Sequence, residues 1–246
     1  LTEWWRDNNG GENPSPAMGK ALLINSATDL DDASGTSPIP NFDEGWGLIT
    51  LANVFEATTP FEFYDEETTL HDSGDEWTTT VGVVDGNKPL KITLAWSDAP
   101  GAVGANPALV NDLDLIVESG GQTYFGNVFA NGVSATGGAA DTINNAENVF
   151  IDSPGGGATI RVVAGTIAGD AVLYNGDATD QRFALICSNC AEQPDFVLEV
   201  ADREAAICTP ATAAYTIGID GILGFDDPVT LVYLGQGADI GALESF

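Results

Sequence analysis

Positive charge is scarce in this sequence. Seven Lys and Arg stand against 37 Asp and Glu, so the 246 residues carry a formal net charge of -30. Such a field repels nucleic acid and anionic membrane surfaces, and partners of both kinds are excluded. It suits divalent cations and a saline surrounding. Histidine occurs once, as His71, which leaves a single candidate for a neutral-pH general base. No apolar run is long enough to cross a bilayer as a helix. No signal peptide is seen either, and the chain opens on Leu1 rather than Met, which reads as a processed or truncated product. Cysteine is also rare. With three, there is no disulfide framework. Cys187 and Cys190 form a C-x-x-C after a strand pattern, with Cys208 left over. Zinc would want two more soft ligands, and a redox pair would want a βαβ setting. A local disulfide in a secreted protein is the preferred reading.

What is present is a foldable chain. Hydrophobic residues make up 43% and the mean hydropathy is +0.04, enough for a real core. Residues 1–10, LTEWWRDNNG, read as the last turns of a helix, with Trp4 and Trp5 as anchors against a missing domain. Ser15 and Pro16 are an N-cap and a first helical residue for a short helix whose apolar stripe is Met18, Ala21, Leu22 and Ala27. After Thr59 short strand patterns alternate with Gly, Asn and Asp turns: EWTTTVGVV, LKITLAW, DLDLIVE, QTYF, ENVFI, ATIRVVA, AVLY and QRFALIC. These predict an antiparallel sandwich, jelly roll or barrel. The Gly-rich stretch from Gly126 to Asn148 is expected to cross between sheets. From about 194, DFVLEV, AAYTIGI and PVTLVYL predict three more strands, too few for a complete immunoglobulin-like sandwich.

The chemistry-bearing residues gather near one segment, Leu90 to Leu115. Leu90, Ile92, Leu94 and Trp96 alternate with Lys91, Thr93 and Ala95, the period of a half-buried strand. In the next strand pattern Asp112 and Asp114 fall on the face opposite Leu113 and Leu115. With Asn111 alongside and Asp98 in the loop, they offer hard oxygen ligands of the kind calcium takes. Asn144, Asn145, Glu147 and Asn148 form a second oxygen-rich group. No D-x-D-x-D-G loop is present, which excludes an EF-hand. Trp46, Trp96, Trp77 and Tyr124 read first as core aromatics, the last two with a strand-face saccharide or peptide grip as the rival.

Several of these stretches together resemble a family. NPSPAMGKALLINSATDL is similar to the helix after the catalytic-serine helix of subtilisin-like serine proteases. PIPNFDEGWGLITL resembles the segment that closes that catalytic domain, with Leu48 where the family usually has Arg. PLKITLAWSDAPG, LVNDLDLIV, YFGN, NNAENVFI and QRFALIC, in that order, look like the C-terminal β-barrel of large secreted subtilases. The resemblance spans about 13 to 187, and the remainder resembles an immunoglobulin-like module more weakly.

It implies three parts: the end of a subtilisin-like catalytic domain at 1–57, a jelly-roll or P-domain-like barrel at 58–190, and a partial immunoglobulin-like module at 194–246. The fold expected is mainly β. Calcium in the barrel is implied too, with Asp98, Asn111, Asp112, Asp114, Asn145 and Glu147 as candidate ligands. The partners implied are an upstream catalytic domain or fragment and the protein substrates of an extracellular endopeptidase. The family's catalytic Asp, His and Ser all lie upstream of the matched segment, so no catalytic residue is expected here. Gly35-Thr36-Ser37 copies three letters of the family's G-T-S-M-A motif but precedes Pro38-Ile39-Pro40, which cannot open a helix at the serine. The rival from another class is a structural or adhesive extracellular module that self-assembles by strand addition at exposed edges.

Overall fold

A computed structural model describes residues 1–30 and 38–192, together with the backbone of 195–200 and 217–222. Gly35-Thr36-Ser37, Cys208 and the run PVTLVYL lie outside the described residues. The chain divides into two units, Leu1–Glu192 and Gln193–Phe246. In the second, β11 (Asp195–Val200) and β12 (Ile217–Ile222) form an antiparallel pair in which Asp195 faces Ile222.

The first unit is mainly β. Its strands are β1 (Phe61–Leu70), β2 (Glu76–Val83), β3 (Leu90–Ala95), β4 (Asp112–Ser119) and β5 (Gln122–Ala130), then β6 (Val133–Thr136), β7 (Ala146–Ile151), β8 (Gly157–Thr166), β9 (Gln181–Ser188) and β10 (Cys190–Glu192). One sheet has the order β1-β9-β3-β7 and the other β10-β2-β8-β4-β5-β6, with every ladder antiparallel. Leu90, Ile92 and Leu94 of the first sheet share one apolar core with Leu113, Leu115, Ile160 and Val162 of the second. Two antiparallel sheets closed on a common core make the arrangement of a β-sandwich.

Helices cover the outer face of the four-stranded sheet. In α2 (Pro16–Asn25) the N-cap Ser15 Oγ accepts from the Met18 N–H at 2.9 Å, and Ser15 donates its own N–H to Asp65. Met18, Ala21 and Leu22 then pack on Ala95, Ala184 and Ile186. This corrects the half-buried reading of β3. Thr93 and Ala95 are as buried as Ile92 and Leu94 on the inner face, because the sheet is covered on both sides. The polar residue is accommodated by a chain in which Asn25 Nδ2 donates to Thr93 Oγ1, and Thr93 donates to Asn148 Oδ1. In α1 (Thr2–Asn8), Trp5 is buried edge-on against Phe63 of β1, so its anchor lies within this chain.

The run AVLY is not a strand. Asp180 takes the N–H groups of Ala171 and Val172, and Tyr174 adopts φ 71°, so the segment turns. Three strands were not foreseen. β1 carries four acidic residues and shifts register between Asp65 and Thr69, while β6 and β10 have only four and three residues. Trp77 and Tyr124 pack against the core, Trp77 edge-on to both Tyr64 and Phe183, and do not form an exposed grip.

The chain changes sheets at Asn189, held at φ 65° with its amide donating to the carbonyls of Asp85, Lys88 and Pro89. Cys187 lies in one sheet and Cys190 in the other, and the two are joined by a disulfide buried in the core. The bond staples the sandwich at its crossing.

Candidate cation site at the sheet seam

The two sheets meet along a seam where backbone pairing gives way to side chains. β4 pairs with β5 only from Ile116 onward, which leaves the Leu115 N–H without a strand partner. Glu147 of β7 alternates with Val149 and Ile151, so it points between the sheets, and its Oε2 accepts that N–H at 2.6 Å. Asn127 Oδ1 accepts from the Asn148 N–H, and Ser134 Oγ from the Phe150 N–H, both closing β7 onto the other sheet. Glycine makes the close approach feasible. A Cβ on Gly126 would collide with Glu147 Oε2.

Carboxylates collect at this seam. Asp112 and Asp114 project from the face of β4 opposite Leu113 and Leu115. A Cβ on Gly165 would lie 2.8 Å from Asp114 Oδ2 and 3.2 Å from Asp112 Oδ2, so both oxygens converge over that glycine. Asp112 Oδ1, Asp114 Oδ1 and Glu147 Oε1 are buried without a hydrogen-bond partner. The ion pairs among the described residues are His71–Asp177, Lys88–Asp85 and Arg161–Glu76, none of them here.

The electrostatic consequence is large. Burial, then repulsion from Asp114, Asp141 and Asp112, pushes Glu147 up to about 9, against the donation from Leu115. Burial, then Asp112 and Asp141, pushes Asp114 up to about 6. Asp112 is raised as well, by burial and then by Asp141 and Asp98. Asp141 goes the other way. Burial would raise it, but donors from Asn127, Asn144 and the Ile143 N–H outweigh that and hold it below its ordinary value. Three carboxylates with raised values near one held below its ordinary value leave oxygens that are under-partnered and costly to ionise without a compensating positive charge. Among the described residues no three His, Cys, Asp or Glu side chains are already drawn together as a ready metal shell.

The expected residues separate into two groups. Asp112 and Asp114 converge over Gly165, and Glu147 sits on the Leu115 N–H of the same strand, near enough to feel their charge. Asp98 turns back on its own loop and accepts the N–H groups of Ala99, Val110 and Asn111, each at 2.8 Å. Asn111 is fully buried and saturated: Oδ1 accepts from Ala168 and Gly169, and Nδ2 donates to Gly169, Asp180 and Gln181 oxygens. Asn145 faces away, donating to the Trp96 carbonyl and accepting from Lys20. Sequence reasoning missed Asp141, whose signal was an acid three residues before Asn144 inside a Gly-rich loop.

His71 is exposed, its Nδ1 2.8 Å from Asp177 Oδ2. Among the described residues no Ser, Thr or Cys side chain hydrogen-bonds to it, and Ser73 Oγ instead accepts from the Ile167 N–H. The hydrogen bond to Asp177 raises the His71 pKa. No protein-family model matches the chain, and no curated protein matches it.

Proposed function

We infer that this chain is the C-terminal accessory part of an extracellular subtilisin-like serine endopeptidase. It braces the catalytic domain and binds calcium through a jelly-roll barrel at about 58–190, and it holds no catalytic residue of its own. In this reading 1–57 complete the catalytic domain and 194–246 begin an immunoglobulin-like module. The observation that carries it is how the protease-like segment sits on the barrel. Its helix α2 covers the outer face of the four-stranded sheet. Meanwhile Leu30, Phe42, Leu48 and Ile49 of the same segment stand exposed, between 53% and 109%. A segment welded to a sheet on one side and apolar on the other suits a brace between two bodies.

The seam supports the calcium part. Asp112, Asp114 and Glu147 present buried unpartnered oxygens, hard ligands in the number a calcium ion draws partly from carboxylates. Bound there, the ion would supply the missing positive charge between β4 and β7. Strand addition gains no support from the edges of the four-stranded sheet. β1 is guarded by Glu62, Asp65, Glu66 and Glu67 and an irregular register, and β7 is capped by Asn127 and Ser134.

Two measurements test the reading. The coding sequence upstream of Leu1 is expected to contain G-T-S-M-A opening a helix, and its absence would sink the protease parentage. The isolated chain, incubated with a peptide substrate and a serine-directed covalent probe, is expected to stay unlabelled. Stoichiometric labelling would overturn the claim that it is catalytically empty.

A further inference from the structure

A cavity of about 490 Å³ opens beside the seam, between α2, the segment around Trp46 and the loop before β7. That volume is in the range of small-molecule sites. Trp46, half-buried, forms part of its wall and is held edge-on by Phe129 and Phe150, with ring centroids 5.3 and 5.9 Å away. Around it stand Asn127, Asn144 and Asn145, with Asp141 and Lys20 as its only charges among the lining residues.

These polar groups are held in place, and two retain capacity. Asn127 accepts from the Asn148 N–H and donates to Asp141 and the Ala146 carbonyl. Lys20 donates to the carbonyl and Oδ1 of Asn145 and, among the described residues, forms no ion pair. One of its three N–H bonds remains free. Asn144 donates to Asp141 at 2.6 Å, and its Oδ1 has no described donor.

The charges narrow the ligand. An anion would meet Asp141 and the seam carboxylates behind it, in a protein of net charge -30. A cation would meet Lys20. A neutral ligand with hydroxyls meets amides that both donate and accept, and an aromatic wall that takes its C–H surface. We propose that this cavity binds a neutral saccharide, with Trp46 as the platform and Lys20 and Asn144 as the hydroxyl-reading groups.

Calorimetric titration of the whole chain with neutral gluco-, xylo- and chito-oligosaccharides tests this, with a polyuronate and unstructured peptides as rivals. One neutral series is expected to bind saturably. Lys20→Met and Asn144→Ala should each weaken it by about tenfold, the worth of one good hydrogen bond, in chains that circular dichroism and a cooperative melt show to be folded. Trp46→Ala should abolish it, and the two polar variants keep the test decisive should that variant misfold. Running each titration with calcium and with chelator separates failure of the cation site from failure of this one. The proposal falls if no neutral saccharide binds at concentrations on the order of 10 mM, if peptides alone bind, or if Lys20→Met and Asn144→Ala bind as the parent does.

Discussion

Glu147 is the residue on which most turns. A fully buried carboxylate with one oxygen on the Leu115 N–H and the other unpartnered is costly when charged and bland when protonated or cation-bound. Its folded value near 9, and that of Asp114 near 6, lie above the ordinary carboxylate range. The folded chain therefore holds these protons more tightly than the unfolded one. Their contribution to stability is complete below about pH 4, declines as pH rises, and is gone past about 9. Calcium-free protein should accordingly melt at progressively lower temperature from pH 5 to 9. The His71–Asp177 pair gives the same sign near neutrality, since its raised value favours the protonated folded state. Glu147→Gln discriminates. It should flatten most of the slope, raise the melting temperature in chelator at pH 8, and erase the gain on adding calcium. A variant that still gains from calcium would place the ion elsewhere. Gly126→Ala probes the same spot sterically, because its Cβ would collide with Glu147 Oε2. A loss of about 1–3 kcal/mol by denaturant titration is expected, and Glu147→Ala in the same chain should recover part of it.

At the scale of elements, legibility followed periodicity and capping. Ser15 and Pro16 announced α2, and the structure supplies the bond that makes the cap, Met18 N–H to Ser15 Oγ. Ser15→Ala should cost about 1 kcal/mol in chemical denaturation. The alternation in DLDLIVE placed Leu113 and Leu115 inward and Asp112 and Asp114 outward, as found. The LKITLAW pattern gave the strand but not its surroundings, because alternation cannot reveal a helix laid over the polar side. Thr93 sits in that blind spot, fully buried between Asn25 and Asn148. Thr93→Val keeps its shape and removes the link, leaving both amides short of a partner. A cost of about 1–3 kcal/mol is expected, and no loss would show that the amides re-pair with each other. The site was half legible for a similar reason. Asp112 and Asp114 share a face by local spacing. Glu147 reaches their strand, at the Leu115 N–H, only through sheet closure, and Asp98 and Asn111 were drawn off by backbone groups that no pattern of side chains foretells. AVLY had the composition of a strand, yet Asp180 outcompeted the ladder for its N–H groups.

For the whole molecule the governing quantity is the charge of -30. Ion pairing relieves little of it among the described residues, since Arg161–Glu76 and Lys88–Asp85 engage two of the six described Lys and Arg. Self-repulsion of this size opposes the compact state and is screened by salt, whose Debye length falls from about 30 Å at 0.01 M to about 8 Å at 0.15 M. The melting temperature should therefore climb with sodium chloride and level off once screening is complete. Calcium acts by two routes, general screening and specific occupancy, and only the second follows RT ln(1 + [L]/Kd). Melting curves in calcium, magnesium and sodium chlorides at matched ionic strength separate them. A seam site of carboxylates predicts an increment for calcium beyond the other two, retained at high sodium chloride and absent in Glu147→Gln. Magnesium, which keeps its waters and demands a stricter octahedron, should give less. Coincident curves for all three salts would reduce the effect to screening and leave Asp112, Asp114 and Glu147 as a proton-holding seam rather than a metal centre.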